Sequence, residues 1–488
     1  MEKRGIEGSL KKQLSAYGTS DYYGFHMPGH KRRMGELGEP YRIDITEICG
    51  FDDLHHPEKE GIITEAQERA ARLYGAEETH FLINGSTAGI LSAISGCTHL
   101  GGKLLMARNS HRSAYHGAEL RNLKLWYLYP QMVDSLWING GILSSDVENS
   151  LKENPGIEAV FLTSPTYEGI CTDVKAIAGI CHGYGVPLIV DQAHGAHFPF
   201  SEYFPEDALK AGADVVIQSI HKTLPALTQT ALLHIQGKLV DRERIRYYLS
   251  IYQSSSPSYV LMASIDNCME QLEREGRSLF GAYTRRLDEF RNSCGDLKRL
   301  RLLGREILGE EAVCDFDKSR LVISTEDTFL TGETFMESLR TQYHLEMEMA
   351  SGNYVTGISS VADQEEDFMR LSRALHKLDE MLSRGQEQKK SGDKIAAWQP
   401  GKAETAMPIG TAMEQETEWI EADKAGGRIA GKYLYLYPPG IPLAVPGERL
   451  SEELCVQIKR SFETGQRIHG LDKNGRISVV CLEDKGTE

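Results

Sequence analysis

The sequence is poor in the features that would settle a function at once. Its nine cysteines include no C-x-x-C pair, and an odd, scattered set fits a reduced interior better than a disulfide framework. No apolar run approaches membrane-spanning length. The opening "MEKRGIEGSLKKQLSAYG" also lacks the apolar stretch of a signal peptide, so a cytoplasmic protein is expected, with no membrane partner. There is no basic block, and the formal net charge is -16 at pH 7. That balance speaks against a nucleic-acid partner and favours cationic small molecules. Internal repeats are absent, and no Lys follows the glycines of "FLINGSTAGI" in the frame of a P-loop.

What is present is the composition of a globular enzyme, with 41% hydrophobic and 25% charged residues. At 488 residues the chain is too long for one core, and two or three domains are expected. From about residue 60, helical periodicity ("GIITEAQERAARLYG") alternates with short apolar strands. "THFLING", "GKLLMARNSH", "IEAVFLTSPT", "VPLIVDQAH" and "ADVVIQSIHK" each end in polar residues. Strands separated by helix-length segments predict an α/β fold with a mostly parallel sheet covered on both faces. After a long helical pattern over 268–295, residues 296–385 mix strands ("RLLGREIL", "SRLVIST") with helices. "SRGQEQKKSGDK" has linker composition. The prolines of "YLYLYPPGIPLAVPGERL" predict a rigid, extended crossing. The expected division is an N-terminal segment (1–45), a large unit (46–270), a small α/β unit (271–385), a linker (386–400) and a C-terminal α+β unit (401–488).

In a parallel α/β sheet, ligands bind beyond the carboxyl ends of the strands. The residues closing the strands therefore share one rim: Asn84 to Thr87, His111, Thr166, Asp191, His194, and Ser219 to Lys222. Gly85, Ser86 and Thr87 at a helix start outline a phosphate site, though a plain Ser/Thr cap reads the same way. Asp191 follows three apolar residues, and a buried carboxylate needs a partner, such as a protonated ring nitrogen. Lys222 can bond covalently to an aldehyde once its amine loses a proton. Ser219 and His221 stand ready for a phosphate beside it. His111 is placed to lie on a ring; a hydrogen-bonded core histidine is the plainer alternative. A carboxylate, a lysine and a phosphate cradle on one rim are what pyridoxal phosphate needs. His194 and His197 lack a third ligand at recognisable spacing, and Pro28 and Gly29 break up His26 and His30, so no metal is expected.

"MPGHK", "DITEICGFDDLHHP", "FLINGSTAGI", "ARNSHRS", "SPTYEG", "VDQAHGAH", "SIHKTL", "SSSP" and "YPPGIPLAVPGE" occur in this order. In that order they resemble the ornithine/lysine/arginine decarboxylases of the aspartate-aminotransferase-like fold, and the length resembles a short bacterial branch without an N-terminal wing. The resemblance implies Lys222 as the covalent lysine, Asp191 as partner of the pyridine nitrogen and His111 as the stacking histidine. It implies Ser86, Thr87, Ser219 and His221 as phosphate ligands and His194 as the histidine next to the cofactor. Ser254 and Ser255 fall where family hydroxyls reach the phosphate of a neighbouring subunit, which implies a homodimer with shared sites. The pattern departs in "GGKLL", which lacks a common Asp, at Glu168, where Asp is frequent, and in the serines that replace threonines before Pro257. The implied reaction is decarboxylation of a basic amino acid to a di- or polyamine, with arginine the first expected substrate, then lysine and ornithine. Among the acids of 44–53, Asp44, Glu47, Asp52 and Asp53 are candidates for holding the distal cation, with capping or solvated roles as the alternative. Lys222 and His221 are the candidate proton donors to Cα.

Overall fold

The computed structural model describes residues 20–33, 40–47, 51–133, 138–309, 312–384, 402–436, 441–463 and 468–481. Its centre is a seven-stranded sheet of β1 (Glu78–Leu82), β2 (Lys103–Ala107), β3 (Lys124–Leu128), β4 (Ala159–Thr163), β5 (Leu188–Asp191), β6 (Val215–Gln218) and β7 (Ala231–Ile235). The spatial order is β1-β7-β6-β5-β4-β2-β3. Only β7 runs against its neighbours; the other pairings are parallel.

The strands are apolar on both faces because both are covered. Alternate residues feed two separate cores: Val160, Leu162, Leu188 and Val190 enter one, and Ala159, Phe161 and Ile189 the other. The covering helices include α1 (Ile62–Tyr74), α2 (Gly85–Cys97), α3 (Arg112–Leu120), α4 (Ser144–Glu153) and α5 (Val174–Gly183). A four-residue turn of helix, α6 (Ile220–Thr223), follows β6, and α7 (Arg242–Tyr252) leads to the 35-residue α8 (Tyr259–Ser293). The helical pattern read from residue 268 thus begins nine residues earlier, where the Ser258 side chain accepts from the Leu261 amide.

A second sheet has the order β8 (Arg301–Leu302), β9 (Arg320–Ser324), β11 (Tyr354–Ile358), β10 (Met349–Ser351), with every pairing antiparallel. Helices α9 (Gly332–Tyr343) and α10 (Glu365–Arg384) accompany it. "RLLGREIL" was expected to be a strand throughout, but only its first part is one. Glu306 turns back to accept from the Gly304 amide at 3.0 Å, and a 3-10 turn over Arg305–Ile307 follows. In the C-terminal region, β12 (Leu434–Leu436) pairs antiparallel with β13 (Pro442–Ala444). The proline-rich stretch is therefore a strand pair on either side of residues 437–440, which lie outside the described residues, as does the expected linker. Among the described residues no helix is long and apolar enough to cross a membrane.

The N-terminal loop is tied to both sheets. The ammonium of buried Lys31 donates to the carbonyls of Gly24, His26 and Ile358 at 3.1, 2.7 and 2.7 Å. Gly29 donates its amide to the His221 carbonyl at 2.8 Å and accepts from Ser360 Oγ at 2.5 Å. A Cβ on Gly29 would stand 2.7 Å from the Leu224 carbonyl oxygen, so only glycine permits this approach to the turn that carries Lys222.

Candidate active site

Register brings the first two groups together. β5 and β6 are parallel, with Asp191 opposite Ile217, and β6 ends one residue later. The chain turns at once into α6, so Asp191 and Lys222 share the rim of adjacent strands. Asp191 is 4% exposed and accepts from the Ala193 amide at 3.0 Å. Burial raises its carboxyl pKa, and the Lys222 charge opposes that rise. Burial pushes Lys222 down to about 8, aided by Arg320 and resisted by Asp191 and Glu348.

His194 sits between strand end and lysine. Its Nε2 lies 2.9 Å from Lys222 Nζ, and its Nδ1 lies 2.9 Å from Arg320 Nη2. Tyr167 packs on its ring at 4.7 Å between centroids. Burial and the surrounding cations keep His194 well below the ordinary imidazole range, hence neutral. His111 caps α3, its Nδ1 accepting from the Ser113 amide at 3.3 Å and pairing with Ser113 Oγ at 2.8 Å. That cap fixes the ring, and burial together with the Lys222 charge lowers its pKa to about 3.

The phosphate candidates form two groups. α2 begins at Gly85, whose φ of +72° suits a residue without Cβ, and the Asn84 side chain does not cap it. Half-buried Ser86 and exposed Thr87 are therefore first-turn residues of an uncapped helix rather than its cap. Across the rim, Ser219 Oγ is buried without a hydrogen-bond partner among the described residues. An orphaned hydroxyl of this kind fits an anion that the chain alone does not supply. The imidazole of His221 donates from Nδ1 to the Thr230 carbonyl at 2.7 Å. Burial lowers its pKa to about 4, which leaves Nε2 as an acceptor until an anion raises that pKa.

Other sequence candidates have partners of their own. Thr166 Oγ1 accepts from the Ile170 amide at 3.2 Å within its own turn. Asp52 takes the amides of Glu58 and Ile63 at 3.1 and 3.2 Å, Asp53 takes that of His55 at 2.9 Å, and Asp44 and Glu47 are exposed. Asp52 thus takes an amide of the first turn of α1, and Asp53 closes a turn of its own loop. Ser254 and Ser255 are exposed, and the Ser254 amide donates to Asn84 Oδ1 of the same chain at 3.3 Å, beside the Gly-Ser-Thr turn. Glu168 is buried and accepts from Tyr354 Oη at 2.7 Å, joining the two sheets. Among the described residues no group of three or more His, Cys, Asp or Glu is arranged to hold a metal ion.

Two residues near the lysine escaped sequence reasoning. Arg320 opens β9, fully buried, and Glu348 precedes β10. Glu348 accepts from the Met27 amide at 3.0 Å and from the Tyr167 hydroxyl, and its charge acts on both Lys222 and His221. Neither has a local motif. The one available signal was the period-two run "LEMEMA", which marks a strand without saying what it faces.

The sheet, with a lysine and a carboxylate at neighbouring strand ends, defines the aspartate-aminotransferase-like fold of pyridoxal-phosphate enzymes. A lysine decarboxylase structure from Francisella novicida, LdcF, shares that fold with a TM-score of 0.74 at 17% identity, covering 88% of this chain and 72% of the other. The profile described as "Orn/Lys/Arg decarboxylase, major domain" matches residues 9–331, and that of the family's C-terminal domain matches 392–476. An arginine decarboxylase of Bacillus subtilis is 32% identical over 487 residues, 98% of each chain. One of Bacillus anthracis is 31% identical over 455 residues, 91% of each. The chain belongs to the Orn/Lys/Arg decarboxylase family, and is an enzyme of that class.

Proposed function

We propose that the chain decarboxylates arginine to agmatine, with pyridoxal phosphate held by Lys222. The observation that carries this reading is the half-buried lysine, its pKa lowered to about 8, at the strand end beside Asp191 and 2.9 Å from His194. The choice of arginine is supported by relatives bearing that activity in their names that align over almost the whole chain.

Lys222 would bond the aldehyde, and Asp191 would hold a proton on the ring nitrogen. His111 and His194 would flank the ring. Ser86, Thr87, the amides of the α2 start and Ser219 would hold the phosphate, whose charge would give His221 the second proton it needs to donate from Nε2. When bound, the cofactor supplies a conjugated sink for the electrons of the breaking Cα–carboxylate bond. Lys222 and His221 remain the two candidates that can move a proton to Cα. Glu348, which like Asp191 acts on Lys222 by its charge, would hold the basic end of the substrate.

The expected units would divide the labour. Residues 46–270 would supply the cofactor rim, 271–385 would supply Arg320 and Glu348, and 401–488 would brace the His111 turn through the Arg108–Glu448 pair. The exposed hydroxyls of Ser254 and Ser255 would reach the phosphate of a second copy. Tyr247 and Ile251, exposed four residues apart on the preceding helix, offer the apolar surface such a contact needs. The deciding assay supplies pyridoxal phosphate with arginine, lysine or ornithine in turn and measures CO2 and amine. CO2 and agmatine from arginine are expected. A keto acid without CO2 would make the chain an aminotransferase and overturn the reading.

A further inference from the structure

Arg320 reaches the rim from the second sheet. One of its nitrogens, Nη2, is 2.9 Å from His194 Nδ1 and 2.9 Å from the His194 carbonyl oxygen. On the other side of the ring, Nε2 is 2.9 Å from Lys222 Nζ. A guanidinium has only donors and keeps its proton at any accessible pH. The Nδ1 that faces it must therefore present a lone pair. A neutral imidazole has one ring proton, so that proton is on Nε2. Nε2–H in turn faces Nζ, and Nζ can accept only as the free amine; an ammonium would set donor against donor.

We propose that Arg320 is a positioning residue that locks His194 in the Nε2–H tautomer and, through it, favours the uncharged amine of Lys222. Its purpose rests on the reading of Lys222 as the cofactor lysine; the tautomer itself does not. The need for such a lock is visible in the groups around Nζ. Asp191 and Glu348 both favour the ammonium, whereas an amine that attacks an aldehyde must keep its lone pair. Burial and the Arg320 charge oppose the two carboxylates. His111 and His221, lowered to about 3 and about 4, add no charge at neutral pH. The tautomer adds a directional preference to that balance, because it withholds from the ammonium the one imidazole acceptor within hydrogen-bond reach among the described residues.

The test uses the full chain freed of cofactor and carrying 15N-labelled histidine, with the His194 ring signals assigned by their loss in His194→Gln. Nε2 is expected to be protonated and Nδ1 unprotonated on both sides of the Lys222 titration. An Nδ1–H ring, or one that changes tautomer as Lys222 titrates, would overturn the proposal; so would a ring averaging both forms, as expected if Arg320 merely waited for a substrate carboxylate. A second arm separates donor from charge. Arg320→Gln keeps an N–H donor without the charge, and Arg320→Met removes both. The rate of Lys222 reductive methylation against pH, read by mass spectrometry of its peptide, should titrate about one pH unit higher in Arg320→Met than in Arg320→Gln, roughly tenfold in free amine. Equal shifts would show charge alone and sink the lock. If neither variant folds, the unsubstituted chain still decides through its ring nitrogens. Covalent cofactor capture that survives Lys222→Ala would instead refute the functional reading and leave the tautomer result standing.

Discussion

Arg108 and Glu448 form an ion pair sealed from water, 3.2 Å apart and 1% and 3% exposed. Arg108 follows β2 and stands three residues before His111; Glu448 belongs to the "VPGE" turn of the C-terminal region. The same guanidinium donates to the Pro442 and Leu443 carbonyls at 3.0 and 3.2 Å and to Tyr115 Oη at 2.7 Å. Breaking one side of a buried pair leaves an uncompensated charge and costs about 3–5 kcal/mol. Glu448→Ala should lower unfolding free energy by that amount in denaturant titration. The combined Arg108→Met, Glu448→Leu chain should recover most of the loss, and a double variant as weak as the single one would contradict the assignment.

Lys222→Ala should abolish covalent capture of pyridoxal phosphate. Borohydride reduction followed by mass spectrometry of the intact chain should add the cofactor mass to the unsubstituted protein and not to the variant.

The pH dependence follows from the lowered amine. A lysine near 8 gains its lone pair as pH rises through that value. The rate of covalent capture by the cofactor-free protein should therefore climb about tenfold per pH unit well below 8 and level off above it. A plateau reached only near the ordinary lysine range would mean that burial does not lower Lys222.

Glu348→Gln should weaken binding of the basic amino acid more than it slows turnover. A hydrogen bond to a charged group contributes about 1.5–3 kcal/mol, so KM should rise roughly ten- to hundredfold with a smaller change in kcat. An unchanged KM would move the distal-cation role elsewhere.

The rim was legible because every member ends a strand or opens the next helix. Asp191 and Lys222 could be placed together from the alternation of strand and helix alone. His194 could be placed beside them by the same argument, but not its partner: Arg320 comes from a different sheet, and no spacing rule links the two. The acids of 44–53 were weighed by type, whereas the structure shows Asp52 engaged with the start of α1, a local role that charge counting does not see. "RLLGREIL" failed as a strand for a similar reason, since a glycine and a glutamate turned the backbone before the apolar pattern was complete.

The Lys31 cage sets an order on the making of this molecule. Its carbonyl partners include Gly24, seven residues away, and Ile358, which leaves the ribosome more than three hundred residues later. Until β11 is synthesised, the loop that braces the α6 turn is without its third carbonyl, and a charged amine cannot be buried without its partners. The strands of the large sheet are complete at Ile235, but the loop that braces the turn carrying Lys222 lacks its third carbonyl until Ile358 is made. A nascent chain released before that point would have the strands of the enzyme without a secured lysine.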